Sequence, residues 1–328
     1  MINRWFYIVL LLPLLAACSG SDKAPLTESV DGWALVNVGE ANIRSDARHS
    51  AELSTQAVAG TPLKLTGRRG EWFEVLTPED YKGWVNESAL TMVDSTALDR
   101  WKKSDRVIVT STYPVQIYNS SKGNSPADIV ATVNGGSILS TVNNGAGESS
   151  DTCRIEVCFP DGRCGWINRD AVVNFAEWSR QLFNSQRILN TAYALMGTPY
   201  LWGGTTSKAM DCSGLVKIAF YSNGYIMPRD ASQQALLGEK VEPGNLDELV
   251  ACDLLFFGND KGRVVHVAIY DSEGNYVHSS GQVRKNNFNE DAANYLDRPV
   301  LFATHIGPVV ADGTIMRVEN HPWYFDGQ

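Results

Sequence analysis

Apolar positions fall into distinct regimes along this chain. An unbroken apolar run, Trp5 to Leu15, opens it. From Asp31 to Val93, and again from Asp105 to Phe175, short alternating runs are broken by Gly, Pro and charged turns, which predicts strands and hairpins. From Ser179 the period lengthens. Leu182, Ile188, Leu189, Ala192 and Leu195 recur at three- and four-residue spacing, a helical pattern stopped by Gly197 and Pro199. The run Leu215 to Phe220 predicts a second, buried helix ending near Gly224. Leu254 to Phe257, Val264 to Tyr270, Tyr276 to Ser279 and Val300 to His305 then read as strands. Helices first and antiparallel strands afterwards is an α+β order, here preceded by two all-β segments.

The two β-segments are copies of one another. Glu74-Val75-Leu76-Thr77-Pro78-Glu79-Asp80-Tyr81-Lys82-Gly83-Trp84-Val85-Asn86 aligns without gaps on Glu156-Val157-Cys158-Phe159-Pro160-Asp161-Gly162-Arg163-Cys164-Gly165-Trp166-Ile167-Asn168. The expected organisation is a leader over 1–18, a tether over 19–30, β-units over 31–93 and 105–175, a linker over 94–104, and an α+β unit over 179–328. Trp101 in the linker is expected to pack between the β-units. The leader, with Arg4 before its apolar run and Leu15-Ala16-Ala17-Cys18 after it, resembles a bacterial lipoprotein signal. That implies an exported protein, lipidated at Cys18 and anchored in the cell envelope without spanning the membrane.

Composition narrows the partners. The chain of 328 residues is 44% hydrophobic, enough for several cores, and carries a formal charge of -9. No Lys/Arg cluster stands out, so nucleic acid is not an expected partner. Export places the cysteines in an oxidising compartment. Cys158 and Cys164 flank a Pro-Asp-Gly turn symmetrically and are candidates for a bridge, whereas Cys153 and Cys252 have no evident partner. Cys153, Cys158 and Cys164 lack a fourth ligand at zinc-site spacing, so no metal is expected.

Candidate chemistry centres on Met210-Asp211-Cys212-Ser213-Gly214-Leu215-Val216, which follows the Gly-rich turn Thr198-Pro199-Tyr200-Leu201-Trp202-Gly203-Gly204. Cys212 falls at a helix N-terminus, whose positive end favours a thiolate. His266 and His278 sit on the two strands of a hairpin turned at Asp271-Ser272-Glu273-Gly274 and could come close, the register of the turn deciding whether they share a face. A helix-start cysteine with a strand histidine is what thiol acyl transfer needs.

With Asp253-Leu254-Leu255-Phe256-Phe257 and His266-Val267-Ala268-Ile269-Tyr270 added, these motifs resemble the NlpC-type family of papain-fold cell-wall cysteine peptidases, over roughly Ser179 to the C-terminus. The β-units, with their Pro-led hairpins and Gly-Trp strands, resemble bacterial SH3-like modules, and Asn42-Ile43-Arg44 fits that family too. The resemblance implies a papain-like α+β catalytic domain behind two SH3-like barrels. It also implies Cys212 as nucleophile, His266 as base and then acid, His278 as its orienting partner, Tyr200 as an oxyanion donor, and no cofactor. For substrate contacts it points to Asp211, Ser213, Trp202, Arg229, Asp230 and Ser232. From the first SH3-like unit it adds Tyr81, with Glu52 as the acid that grips an amine and Asp46 as its rival. Relatives commonly have glycine where this chain has Cys252.

The implied activity is hydrolysis of the γ-D-glutamyl to L-diamino acid bond in murein-derived peptides with a free N-terminal L-alanine. Two other readings keep parts of this picture: a hydrolase acting on intact murein, and a non-catalytic wall-binding lipoprotein.

Overall fold

A computed structural model describes residues 27–142 and 153–326. The leader, the lipidation expected at Cys18 and most of the tether lie outside the described residues. Among the described residues no helix is long and apolar enough to cross a membrane.

Strands between Glu28 and Val93 form one seven-stranded antiparallel sheet, and strands between Arg106 and Asn174 form another. Counted from its own first strand, each sheet has the order 3-2-6-5-4-1-7, so the sequence repeat is a repeat of topology. Register is shared as well: Glu74 pairs with Trp84 and Val75 with Gly83, as Glu156 pairs with Trp166 and Val157 with Gly165. The glycine before each tryptophan is demanded by space. A Cβ on Gly83 would stand 2.6 Å from Ile43 Cγ2, and one on Gly165 would stand 2.6 Å from Ile117 Cγ2. Cys158 and Cys164 form a disulfide across the second hairpin, and Cys153 is free and exposed.

Asp94 caps the linker helix Ser95–Lys103 by accepting from the Ala97 N–H at 2.7 Å. The helix buries Leu98 and Trp101 in a cluster shared with Leu35 and Trp33 of the first sheet, Ile108 of the second, Phe175 and Trp178 of the short helix Phe175–Ser179 after it, and Ile226 and Tyr324 of the C-terminal unit. Linker and tail thus knit the parts together through one apolar seam.

The C-terminal unit packs helices on one face of a six-stranded sheet. In order across the sheet run Glu239–Val241, Val300–His305, Leu254–Gly258, Val264–Tyr270, Asn275–Ser280 and Gln282–Asn287. Helices Ser185–Ala194 and Cys212–Tyr221 cover it, joining Leu254, Phe256, Val267, Ile269 and Val277 in the main core. Two sequence expectations change here. The helical pattern from Ser179 is interrupted: Asn184 starts a new helix by accepting from the Arg187 N–H, and Leu182 lies outside it, 76% exposed. The strand Gln282–Asn287 had no apolar alternation to announce it; apart from Asn287, only its Val283 is buried.

The first sheet is bonded to the turn ahead of Cys212. Thr205 N–H donates to Gln56 Oε1 at 2.9 Å, Thr205 Oγ1 to the Gln56 carbonyl at 3.0 Å, and Thr206 Oγ1 to Glu40 Oε2 at 2.9 Å. A Cβ on Gly203 would lie 2.2 Å from the Leu53 carbonyl oxygen, so the loop before Leu53 presses directly on this turn.

Candidate active site

Cys212 is the first residue of its helix because Asp211, in extended conformation, caps it, accepting from the Gly214 N–H at 2.7 Å. Gly214 allows the turn and helix to touch; a Cβ there would stand 2.2 Å from the Gly204 carbonyl oxygen. The Asp-Cys-Ser-Gly motif is therefore a cap, a thiol and a close approach.

The sheet opens to receive the thiol. The His266 and His278 strands pair only at Ile269–Val277 and Tyr270–Tyr276, then part before reaching the two histidines. At this splay the Cys212 sulfur meets the backbone N–H of Val267, the residue after His266. Cys212 is 7% exposed. Burial, followed by the Asp211 carboxylate, raises its thiol above the ordinary cysteine range, against the lowering by the Val267 and Ser213 amides and Arg229.

The base is assigned by a chain of hydrogen bonds. Asn286 Nδ2 donates to the Asn294 carbonyl at 2.9 Å, which turns its Oδ1 toward His278. An amide oxygen only accepts, so the 3.0 Å contact places a proton on His278 Nε2. His278 Nδ1 must then accept from His266 Nε2 at 2.8 Å, leaving His266 Nδ1 with the free lone pair. Burial, then Arg298, His278 and Arg284, push His266 down to about 2, and burial chiefly pushes His278 down to about 4. Both rings are neutral near pH 7, the state in which one can accept a proton.

Tyr200 lies within electrostatic reach of Cys212, and burial first, then the Cys212 and Asp211 charges, push its hydroxyl up to about 12. It remains a proton donor through the physiological range. Its backbone is fixed by the Gly281 carbonyl, which accepts from the Tyr200 N–H at 2.9 Å.

Below the nucleophile sits a closed ionic network. Arg229, 2% exposed, meets Asp211 through Nη2–Oδ2 at 2.6 Å and Nη1–Oδ1 at 3.1 Å, and donates to Ser213 Oγ at 2.9 Å. The Ser213 hydroxyl and the Gly203 N–H also donate to Asp211. Asp211, Ser213 and Arg229, expected as substrate contacts, thus bond one another, while Arg229 Nε has no hydrogen-bond partner among the described residues. This buried ion pair holds the turn, cap and following loop in place.

The other expected contact residues come from separate elements. Tyr81, from the Pro-led hairpin of the first sheet, donates to Asp230 Oδ1 at 3.2 Å. Burial and then the Asp230 charge push Tyr81 up to about 12. Ser232 and Glu52 are exposed, and Trp202 is 60% exposed at the rim. Asp46 is paired with Arg69 at 2.7 Å and Arg48 at 3.4 Å, which leaves Glu52 as the uncommitted carboxylate of that loop. In the second copy, Arg163 pairs with Asp161 and donates to the Asn37 carbonyl, so its hairpin serves contact with the first sheet. Cys252 is buried with φ +78°, the left-handed conformation that suits glycine, and its thiol faces the Ser185 carbonyl at 2.9 Å.

The family model described as "NlpC/P60 family" matches residues 197–299, and that described as "Bacterial SH3 domain" matches residues 39–91. The gamma-D-glutamyl-L-lysine dipeptidyl-peptidase of Bacillus subtilis (strain 168) is 30% identical over 233 residues, covering 69% of this chain and 72% of its own length. Its namesake in Bacillus cereus is 28% identical over 269 residues, covering 79% and 76%. Dipeptidyl-peptidase 6 of Lysinibacillus sphaericus is 26% identical over 281 residues, covering 84% and 98%. In fold, a solved NlpC/P60 family protein from Bacillus cereus covers 83% of the chain and 99% of its own, with a TM-score of 0.67 at 22% identity.

Proposed function

The chain belongs to the NlpC/P60 family of cysteine peptidases that cleave peptidoglycan peptides, and from that premise we propose that it hydrolyses the γ-D-glutamyl to L-diamino acid bond of murein stem peptides carrying a free N-terminal L-alanine. The observation that carries this reading is the Tyr81–Asp230 contact, made between the first β-unit and the loop beside the nucleophile. In this reading the Tyr81 hydroxyl and the Asp230 carboxylate would meet the amino end of a chain extending from the D-glutamyl side. A charge-assisted pair of the substrate's ammonium with Asp230 and Glu52 would select for a free amine.

The chemistry follows from the proton inventory. His266 Nδ1 takes the Cys212 proton as sulfur attacks the γ-carbonyl of D-glutamate. The oxyanion accepts from the Cys212 backbone N–H and the Tyr200 hydroxyl, where losing one donor costs on the order of 100- to 1000-fold in turnover. The imidazolium, oriented by His278, passes its proton to the departing α-amine of the diamino acid. Water, deprotonated by the same imidazole, then cleaves the thioester and restores the thiol. The lipid anchor implied at Cys18 would hold this activity in the envelope.

Turnover of L-Ala-γ-D-Glu-L-diamino acid is compared with that of its N-acetylated form by mass spectrometry. The expected result is loss of kcat/KM by about 100-fold on acetylation, the size of a charged pair broken in a closed site. Tyr81→Phe and Asp230→Asn should shrink that discrimination. Equal cleavage of both peptides would show that no amine is read.

A further inference from the structure

The turn ahead of the nucleophile is held from outside the catalytic unit by polar groups that the proposed chemistry does not use. Thr205–Thr206 and Ala209–Met210 form a small hairpin, with Thr205 paired to Met210 and Thr206 to Ala209. Its second strand runs directly into Asp211 and Cys212. Around it three parts of the site meet. The Asp211 N–H donates to the Gly204 carbonyl at 3.2 Å, and the Leu201 N–H, next to Tyr200, donates to the Met210 carbonyl at 3.2 Å. Ser279 Oγ, next to His278, donates to that same Met210 carbonyl at 2.8 Å.

Gln56 holds the other side of the hairpin. It lies on Leu53–Val58, the edge strand of the first sheet, and is 5% exposed. A backbone N–H can only donate, so the 2.9 Å contact with Thr205 N–H fixes the Gln56 amide with Oε1 toward the hairpin. Its Nε2 then donates to Glu40 Oε1 and to Asn42 Oδ1, each at 2.9 Å. The Gln56 carbonyl, on the open edge of the sheet, accepts from the Thr205 hydroxyl at 3.0 Å. The second oxygen of Glu40 accepts from Thr206 Oγ1 at 2.9 Å and from Asn134 Nδ2 of the second sheet at 3.3 Å, with Lys208 Nζ at 3.6 Å. Both polar atoms of a buried amide are engaged, so any shift of the hairpin strands a donor or an acceptor away from water. We propose that Gln56, oriented by Glu40, is a positioning residue for the nucleophile: by fixing the Thr205–Met210 hairpin it sets Cys212 against the histidine strand. The first β-unit thus serves turnover of any peptide and not only the reading of an amine. This rests on the cysteine–histidine chemistry proposed above, not on the choice of substrate.

Full-length variants are assayed on L-Ala-γ-D-Glu-L-diamino acid and its N-acetylated form, well below their thermal midpoints. Alkylation of Cys212 by iodoacetamide is followed at that residue by mass spectrometry. Gln56→Leu removes the acceptor for Thr205 and should lower kcat by about tenfold or more, within the ~100-fold that a misplacement of about 1 Å can cost. KM should change little, and the preference for the free amine should stay at its wild-type value. Cys212 alkylation should slow by a similar factor. Gln56→Glu sets two carboxylates side by side and should lose kcat as well. Adding Glu40→Gln exchanges amide and acid, restores an acceptor for Thr205 beside a donor on residue 40, and should return most of the lost kcat. A folded Gln56→Leu with wild-type kcat and alkylation rate, or with its loss confined to KM for the free-amine peptide, overturns the positioning role. An exchanged pair that recovers the thermal midpoint without kcat does the same. A wild type that cleaves neither peptide, while Cys212 alkylation still depends on Gln56, overturns the proposed reaction and leaves the positioning role standing.

Discussion

At the scale of single residues, the proton on each ring nitrogen of the histidine pair is dictated by an asparagine that makes no contact with the nucleophile in this network. Asn286 Nδ2 donates to the Asn294 carbonyl, so Oδ1 must face His278, and the two imidazoles then have only one arrangement of donors and acceptors. Asn286→Ala frees His278 to turn its proton toward His266, which blocks the acceptor role of Nδ1 in part of the population. The expected loss is about tenfold in kcat, the value of one such bond at ~1.4 kcal/mol, with KM little changed. Asn286→Asp separates positioning from mere packing. A carboxylate there stabilises a charged His278, so the acid limb of the kcat profile should move to higher pH, a shift that a packing defect does not produce. Cys212, His266 and His278 were legible in the sequence because motif and hairpin turn place them. Asn286 was not, because its strand carries the pattern Gln-Val-Arg-Lys-Asn-Asn, which has too few buried apolar positions to register as a strand. Nor could the sequence reveal that Asp211, Ser213 and Arg229 bond one another, since that depends on how deeply Arg229 is buried.

At the scale of elements, the hairpin bearing Tyr81 is fixed to the catalytic unit from both sides. Glu79 pairs with Lys217 on the Cys212 helix, both side chains largely buried, and the Pro78 carbonyl accepts from His321 Nε2 at 3.0 Å. The hairpin itself was readable from its Pro-led turn and from the Gly-Trp repeat, because a clash-free glycine leaves a sequence signature. Its anchor was not, because Lys217 sits in an otherwise apolar helix and Glu79 in a charged turn, with nothing in either to name the other. Removing one partner strands the other charge, at a cost of about 3–5 kcal/mol for a buried pair. Lys217→Met should therefore lower the thermal midpoint clearly and raise KM for the free-amine peptide as Tyr81 loses its support. The double change with Glu79→Gln should recover much of the stability, because no charge is left unpaired. A double variant as unstable as the single one would place the cost in packing instead of charge.

At the scale of the whole molecule, the buried histidines tie stability to pH with a sign that can be worked out. His266 and His278 are held neutral in the fold, at about 2 and about 4, whereas in the unfolded chain each takes up a proton near its ordinary value of 6.5. The unfolded state thus binds more protons than the fold at any pH between these values, so stability rises with pH across that window. Above about 6.5 both states are neutral and the contribution is flat. As pH falls from 6.5 toward 4 both residues weaken the fold, and below 4 only His266 continues to do so. At pH 5 each amounts to about 2 kcal/mol on the scale of 1.36 kcal/mol per unit, which is large against a typical net stability of ~5–15 kcal/mol. The range from 6.5 to 5 isolates the effect, because most carboxylates are still ionised in both states there. The thermal midpoint of the wild type should fall through this range, and that of His278→Gln should fall less steeply, having one buried imidazole fewer to charge on unfolding. A peptidase built this way gives up acid tolerance to keep its base unprotonated, and parallel slopes for the two proteins would mean that the imidazole pair is not the source of that cost.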